Sequence, residues 1–106
     1  MGLKKLLMKY FVVIEIKKSA RIDLKETYEY TRKDSEYYAS KTIIEIQKHI
    51  YNLRFFPYSG RKIPEINQQN FLEIIYKNFR IMYKIESKYK ISILRIYHSS
   101  RNFKLN

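Results

Sequence analysis

At 106 residues, 45% of them hydrophobic, the chain has material for one domain around one core. Two Gly and two Pro exclude a long irregular or low-complexity polymer, and the absence of Cys excludes a disulfide framework, a thiolate zinc site and a cysteine nucleophile. Twenty-two Lys and Arg against ten Asp and Glu leave +12, a field that attracts polyanions or an acidic protein partner, unless the lysines are simply solvated surface in a Lys-, Ile-, Tyr- and Asn-rich composition.

The opening "MGLKKLLMKYFVVIEI" imitates a signal peptide, with Lys4 and Lys5 ahead of an apolar run. Lys9 interrupts that run, no small-residue cleavage site follows, and Glu15 arrives early. Leu6 stands where a myristoylation signal needs Ser or Thr. No stretch approaches the roughly 20 apolar residues that cross a bilayer. The expectation is a soluble, cytoplasmic protein with no membrane partner, residues 1–106 forming a single domain.

Phe11 to Lys17, largely β-branched, reads as a first strand. Ser19 is placed to cap a helix running through Arg32, with Ala20, Leu24, Tyr28 and Thr31 on one face and Arg21, Lys25, Glu29 and Arg32 on the other. Asp34 and Ser35 break it and offer a second cap. Ala39, Ile43, Ile46, Ile50 and Leu53 then step by four and three, which stacks them on one side of a second helix. So short a turn makes the pair an antiparallel hairpin. "RFFPYSGRKIPE" ends it, since Pro57 cannot continue a helix and Gly60 and Pro64 keep the chain irregular. Tyr37, Tyr38, Phe55, Phe56 and Tyr58 are expected in core and hairpin packing, with any exposed ones forming a partner or dimer surface.

Three strand-like runs follow: Phe71 to Lys77, Arg80 to Glu86, and Lys90 to Tyr97. Their short joins predict an antiparallel meander. In the middle run Ile81, Tyr83 and Ile85 point toward the helices, leaving Arg80, Met82 and Lys84 on an open, basic face. Ile93 and Leu94 break the alternation of the last run, which predicts a bulge or burial on both sides. The order β-α-α-β-β-β gives an α+β fold, a helical hairpin packed on one face of an antiparallel sheet.

Four motifs, "SARIDLKETYEYT", "LRFFPYSGRKIPE", "FRIMYKI" and "ILRIYHSSRN", stand in order around these elements. Through them the chain resembles the RelE/ParE family of bacterial and archaeal toxins of type II toxin–antitoxin systems, over roughly Val12 to Asn102. The resemblance implies a growth-inhibiting toxin silenced by a co-encoded antitoxin, often acidic, in a toxin–antitoxin hetero-oligomer. An acidic, foldable partner also follows from the charge alone.

The family divides in mechanism. A RelE-like chain is a ribosome-dependent mRNA endoribonuclease, whereas a ParE-like chain poisons DNA gyrase. Metal-free RNA cleavage needs a base, cations for the phosphorane and an acid. Arg80, Arg101 and His98 are the candidate catalytic residues if the chain is a ribonuclease, with Tyr97 as a proton-handling neighbour. Competing readings pair Arg80 with Glu73 on the adjacent strand and make His98 structural. Arg61, Lys62 and Lys84 are candidates for target or polyanion binding, although Gly60-Arg61 also reads as a turn. Where the ribonuclease branch places cations two apart on the strand before Arg80, this chain has Phe71 and Glu73, and a carboxylate there repels a phosphodiester. With the long hairpin, this favours the ParE-like branch; the ribonuclease remains the alternative. His49 and His98 are far apart without clustered carboxylates, so no metal site is expected, and no Gly-rich loop suggests a cofactor.

Overall fold

The structure, a computed structural model, describes Gly2 and residues 12–99. Strand β1 (Val13–Ile16) leads into helices α1 (Lys18–Arg32) and α2 (Glu36–Asn52). Strands β2 (Arg61–Lys62), β3 (Phe71–Tyr76), β4 (Phe79–Ser87) and β5 (Lys90–His98) follow. They form one five-stranded sheet in the order β1-β5-β4-β3-β2. The expected order of elements stands, with two amendments. The sheet is mixed, because β1 runs parallel to β5, with Ile14 opposite Ile91 and Ile16 opposite Ile93. A parallel neighbour needs a long crossover, and the two helices supply it. The second amendment is β2, a short strand inside the segment read as irregular, pairing Arg61 with Glu73 and Lys62 with Leu72.

Helix α1 starts earlier than Ser19. Its cap is Lys17, in extended backbone with no side-chain cap, and Ser19 lies in the first turn. The reason is the preceding strand: Lys17 N–H donates to the Ile93 carbonyl at 3.0 Å, so the chain turns into the helix as soon as the ladder releases it. Ser35 does cap α2, its Oγ accepting from Tyr38 N–H at 3.1 Å. Ala39, Ile46, Ile50 and Leu53 are buried as their spacing requires, with Ile43 partly buried, and Ile46, Ile50 and Leu53 pack with Ile81, Tyr83 and Ile85 from β4 and Ile91, Ile93 and Ile96 from β5. The aromatics of the hairpin are a correction: Tyr37, Tyr38, Phe55, Phe56 and Tyr58 are all more than half exposed. They lie off the stepped apolar face of α2, or beyond its end, where the core does not reach.

The other face of the sheet is also a correction, since it is not open. Met82 is buried with Ile63 and Tyr97, and Ile66 and Phe71 pack beside them. The segment between β2 and β3 folds back over the sheet and covers it.

The bulge falls at Leu94. Met82 pairs with Arg95 but Tyr83 pairs with Ile93, leaving Leu94 as the additional residue. Strand β1 ends its pairing at Ile93, and beyond that point the outer edge of β5 is served by a side chain of α1. The buried Asp23 carboxylate accepts from Ile96 N–H at 2.8 Å and from Arg95 Nε and Nη2 at 2.8 and 3.0 Å. Helix α1 is thereby bolted to the strand it crosses. At the opposite edge the Tyr83 hydroxyl donates to the Pro57 carbonyl at 2.8 Å and accepts from Gly60 N–H at 3.0 Å. A Cβ on Gly60 would come within 2.6 Å of that hydroxyl and 2.7 Å of the Glu73 carbonyl oxygen. This close approach requires glycine.

Two stability outcomes follow, each read by urea denaturation. Asp23→Ala strands the Ile96 amide and the Arg95 guanidinium together and is expected to cost about 3 kcal/mol, with Asp23→Asn costing less because one acceptor survives. Gly60→Ala pushes its new methyl against the Glu73 carbonyl oxygen and the Tyr83 hydroxyl and is expected to cost about 1–3 kcal/mol.

Candidate functional site

Strand alternation builds the site on the covered face of the sheet. Arg61 is opposite Glu73, Glu73 is opposite Met82, and Arg80 is two residues before Met82, so all four side chains share one face. The Glu73 carboxylate is fully buried, a position a charge tolerates only when matched by opposite charge and hydrogen bonds. Arg61 Nε donates to its Oε2 and Arg80 Nε to its Oε1, each at 2.8 Å. Arg80 Nη1 and Nη2 then grip Glu65 bidentately, both at 2.8 Å. Hydrogen bonding from Arg80 holds the Glu65 carboxyl down to about 2 from its ordinary 4.5, against the opposing effect of burial. Reciprocally, the bonds from Glu65 raise Arg80 above the ordinary arginine value. The expected Arg80–Glu73 pair is therefore present. Glu65, three residues beyond Lys62 in an irregular segment, is the partner that sequence reasoning did not name; no periodic signal marks it.

His98 is placed elsewhere. It stands opposite Phe79, their rings edge to face with centroids 5.1 Å apart. Phe79 and Arg80 are consecutive on β4, so His98 and Arg80 occupy opposite faces of the sheet. The structure does not bring these two candidate catalytic groups together. Arg101 lies outside the described residues. Tyr97 is buried opposite Arg80, with the Arg95 guanidinium 4.3 Å over its ring.

The three candidate polyanion contacts are dispersed around the β2–β4 side. Arg61 is 63% exposed although its Nε is tied to Glu73. Lys62, also exposed, pairs with Leu72 and so points away from the Arg61 face. Lys84 shares that face, lies 5.3 Å over the Phe71 ring and is 3.1 Å from Glu86.

A second feature lies at the opposite edge. Val12, Ile14 and Ile16 of the β1 segment and Ile50, Tyr51 and Arg54 of the α2 end line a largely apolar, partly open cavity of about 400 Å³. Arg54 Nη1 donates to the Tyr51 hydroxyl at 2.9 Å, but its Nε–H is buried with no hydrogen-bond partner. An unmade bond of this kind costs about 1–3 kcal/mol. Nothing in the spacing of "YNLRFF" distinguishes Arg54 from an ordinary surface arginine.

Among the described residues no group of three or more His, Cys, Asp or Glu is arranged to hold a metal ion, and no helix is long and apolar enough to cross a membrane.

Residues 14–103 match the family described as "ParE toxin of type II toxin-antitoxin system, parDE". The chain belongs to the ParE toxin family. Its fold is that of a solved structure titled "Chromosomal ParDE TA system from P. aeruginosa", with a TM-score of 0.69 at 20% identity over 84% of this chain and 97% of that one. No curated protein sequence matches it. Within this ParE-family chain, the position that suggests an RNA-facing cation, Arg80, is held by two carboxylates.

The Glu65 carboxyl supplies the pH test. Its folded value is depressed, so its contribution to stability is complete above about 4.5 and is lost as the pH falls toward 2. Glu15 and Glu86 are also lowered by neighbouring lysines, so the acid limb has several contributors. The melting temperature of Glu65→Gln is expected to fall less steeply than that of the parent chain across this window, with the two curves closest at its acid end.

Proposed function

We propose that this ParE-family chain arrests growth by binding and poisoning DNA gyrase, and that a co-encoded acidic antitoxin silences it. The observation that carries this reading is the engagement of Arg80 with Glu73 and Glu65 on the face opposite His98. A phosphoryl-transfer site needs a cation presented to the phosphate and a proton-transfer group within reach of the same atoms. Here the cation is neutralised by carboxylates that would repel a phosphodiester, and the imidazole faces the helices. Family membership supports a toxin held by an antitoxin. The net charge of +12 supports both an acidic partner and approach to a gyrase–DNA complex. Arg61, Lys62 and Lys84, with the exposed aromatics of the hairpin, are the surface assigned to the target.

Purified-component assays separate this from the ribonuclease alternative. The protein is expected to block gyrase supercoiling and accumulate linear DNA, and to leave mRNA intact on programmed ribosomes. Cleavage of that mRNA, lost in both Arg80→Ala and His98→Ala while gyrase is unaffected, would reverse the assignment. Growth restored by the product of the neighbouring reading frame is the expected sign of the antitoxin.

A further inference from the structure

The outward face of α2 departs from what a surface helix ordinarily carries. Its buried side holds Ala39, Ile46 and Ile50, so the opposite side is the place for polar residues. Instead Tyr37, Lys41, Ile44, Lys48 and Tyr51 follow one another there, at alternate spacings of four and three. Tyr37 is 73% exposed, Ile44 51% and Tyr51 58%. Rings and an aliphatic side chain thus alternate with ammonium groups along about 21 Å of helix.

The row is hollowed toward its end, where Ile44, Gln47, Lys48, Tyr51 and Asn52 line an open depression of about 350 Å³. The Tyr51 ring at its rim is fixed from behind. Arg54 stacks 5.1 Å over one face of the ring and donates from Nη1 to the hydroxyl at 2.9 Å, leaving the other face to solvent. Lys41 is exposed and joins no ion pair among the described residues. Lys48 meets Glu45 at 3.4 Å while 68% exposed, a surface pair that a phosphate can displace.

We propose that this face binds single-stranded DNA, its bases stacked on Tyr37 and Tyr51 and its phosphates held by Lys41 and Lys48. Aromatic side chains accept any base face, and the backbone between bases supplies negative charge where the lysines stand. A duplex keeps its base faces stacked inside, so it engages the lysines without the rings. A second copy of this chain would set lysines against lysines, and two chains of +12 repel. An acidic protein segment answers the lysines without needing ring faces, a difference that competition by polyglutamate reads. The site goes beyond the gyrase reading, within which it touches DNA that the enzyme holds.

The probe is a fluorescein-labelled oligothymidylate of about ten nucleotides, followed by anisotropy with the full-length chain at increasing salt. The single strand is expected to bind about tenfold or more tighter than a duplex of the same length. Tyr37→Leu and Tyr51→Leu, which keep apolar bulk, should each weaken it about fivefold or more. Lys41→Gln and Lys48→Gln should each reduce the slope of log affinity against log salt by about 0.7. Lys25→Gln, on the exposed face of α1, removes the same charge and should leave that slope unchanged. Duplex binding as tight as single-strand binding, unchanged affinity in either tyrosine variant, or a slope that Lys25→Gln reduces equally overturns the proposal. So does displacement of the oligonucleotide by polyglutamate at equal charge, which assigns the face to an acidic protein. Should Tyr51→Leu lose its fold along with the Arg54 contact, Tyr37→Leu decides. Gyrase inhibition by a chain that does not bind the oligonucleotide overturns this site alone. Oligonucleotide binding by a chain inert toward gyrase removes the gyrase reading and leaves this site standing.

Discussion

A carboxylate with no exposed surface governs one whole side of this molecule. Glu73 stands in the middle of a strand, and its charge is tolerable there only because Arg61 reaches it along β2 and Arg80 along β4. From that requirement follow the pairing of the short β2 strand, the position of Arg80, and the capture of Glu65 from the segment that folds over the sheet. Ile63, Met82 and Tyr97 close the same face with apolar contact. Electrostatic matching sets where the covering segment sits, and burial holds it down.

The opposite edge repeats the device with the acid on a helix instead of a strand. There the acid is on a helix and the cation on a strand: Asp23 of α1 serves Arg95 and the amide of Ile96. The parallel ladder between β1 and β5 ends at Ile93, the Leu94 bulge shifts the strand, and the Ile96 amide beyond it is met by a side chain instead of a neighbouring strand. Buried backbone groups must find partners, and this one finds a carboxylate that also fixes the angle at which α1 crosses the sheet. Two buried acids thus tie the two layers and the covering segment to one sheet.

These ties bear on function through what they occupy. A fold by itself does not choose the chemistry. The choice lies in which side chains converge. In this chain the guanidinium of Arg80 is engaged by carboxylates and the imidazole of His98 packs on Phe79 across the sheet. What the surface offers instead is binding area: exposed aromatics along the hairpin, dispersed cations on the β2–β4 side, and a strand edge beside an apolar groove.

Much of this was legible in the residues. The four-and-three stepping from Ala39 to Leu53, the Ser35 cap, the alternation of Ile81, Tyr83 and Ile85, and the irregularity at Leu94 are local signals. Periodicity and capping chemistry act over a few residues, and the structure follows them. The strand before Arg80 also carried its message in sequence, since a glutamate at position 73 demands a cation nearby. What the sequence could not supply was anything resting on long-range register. The parallel placement of β1, the partnership of Asp23 with Arg95, the arrival of Glu65 at Arg80 and the separation of Arg80 from His98 all depend on which strand lies beside which. Pairing across 72 residues of chain, as between Asp23 and Arg95, has no local signature, because the free energy that selects it comes from packing the finished layers. The linear order therefore determined the elements and the family, and the assembled sheet alone decided which charged groups meet and which remain available to a partner.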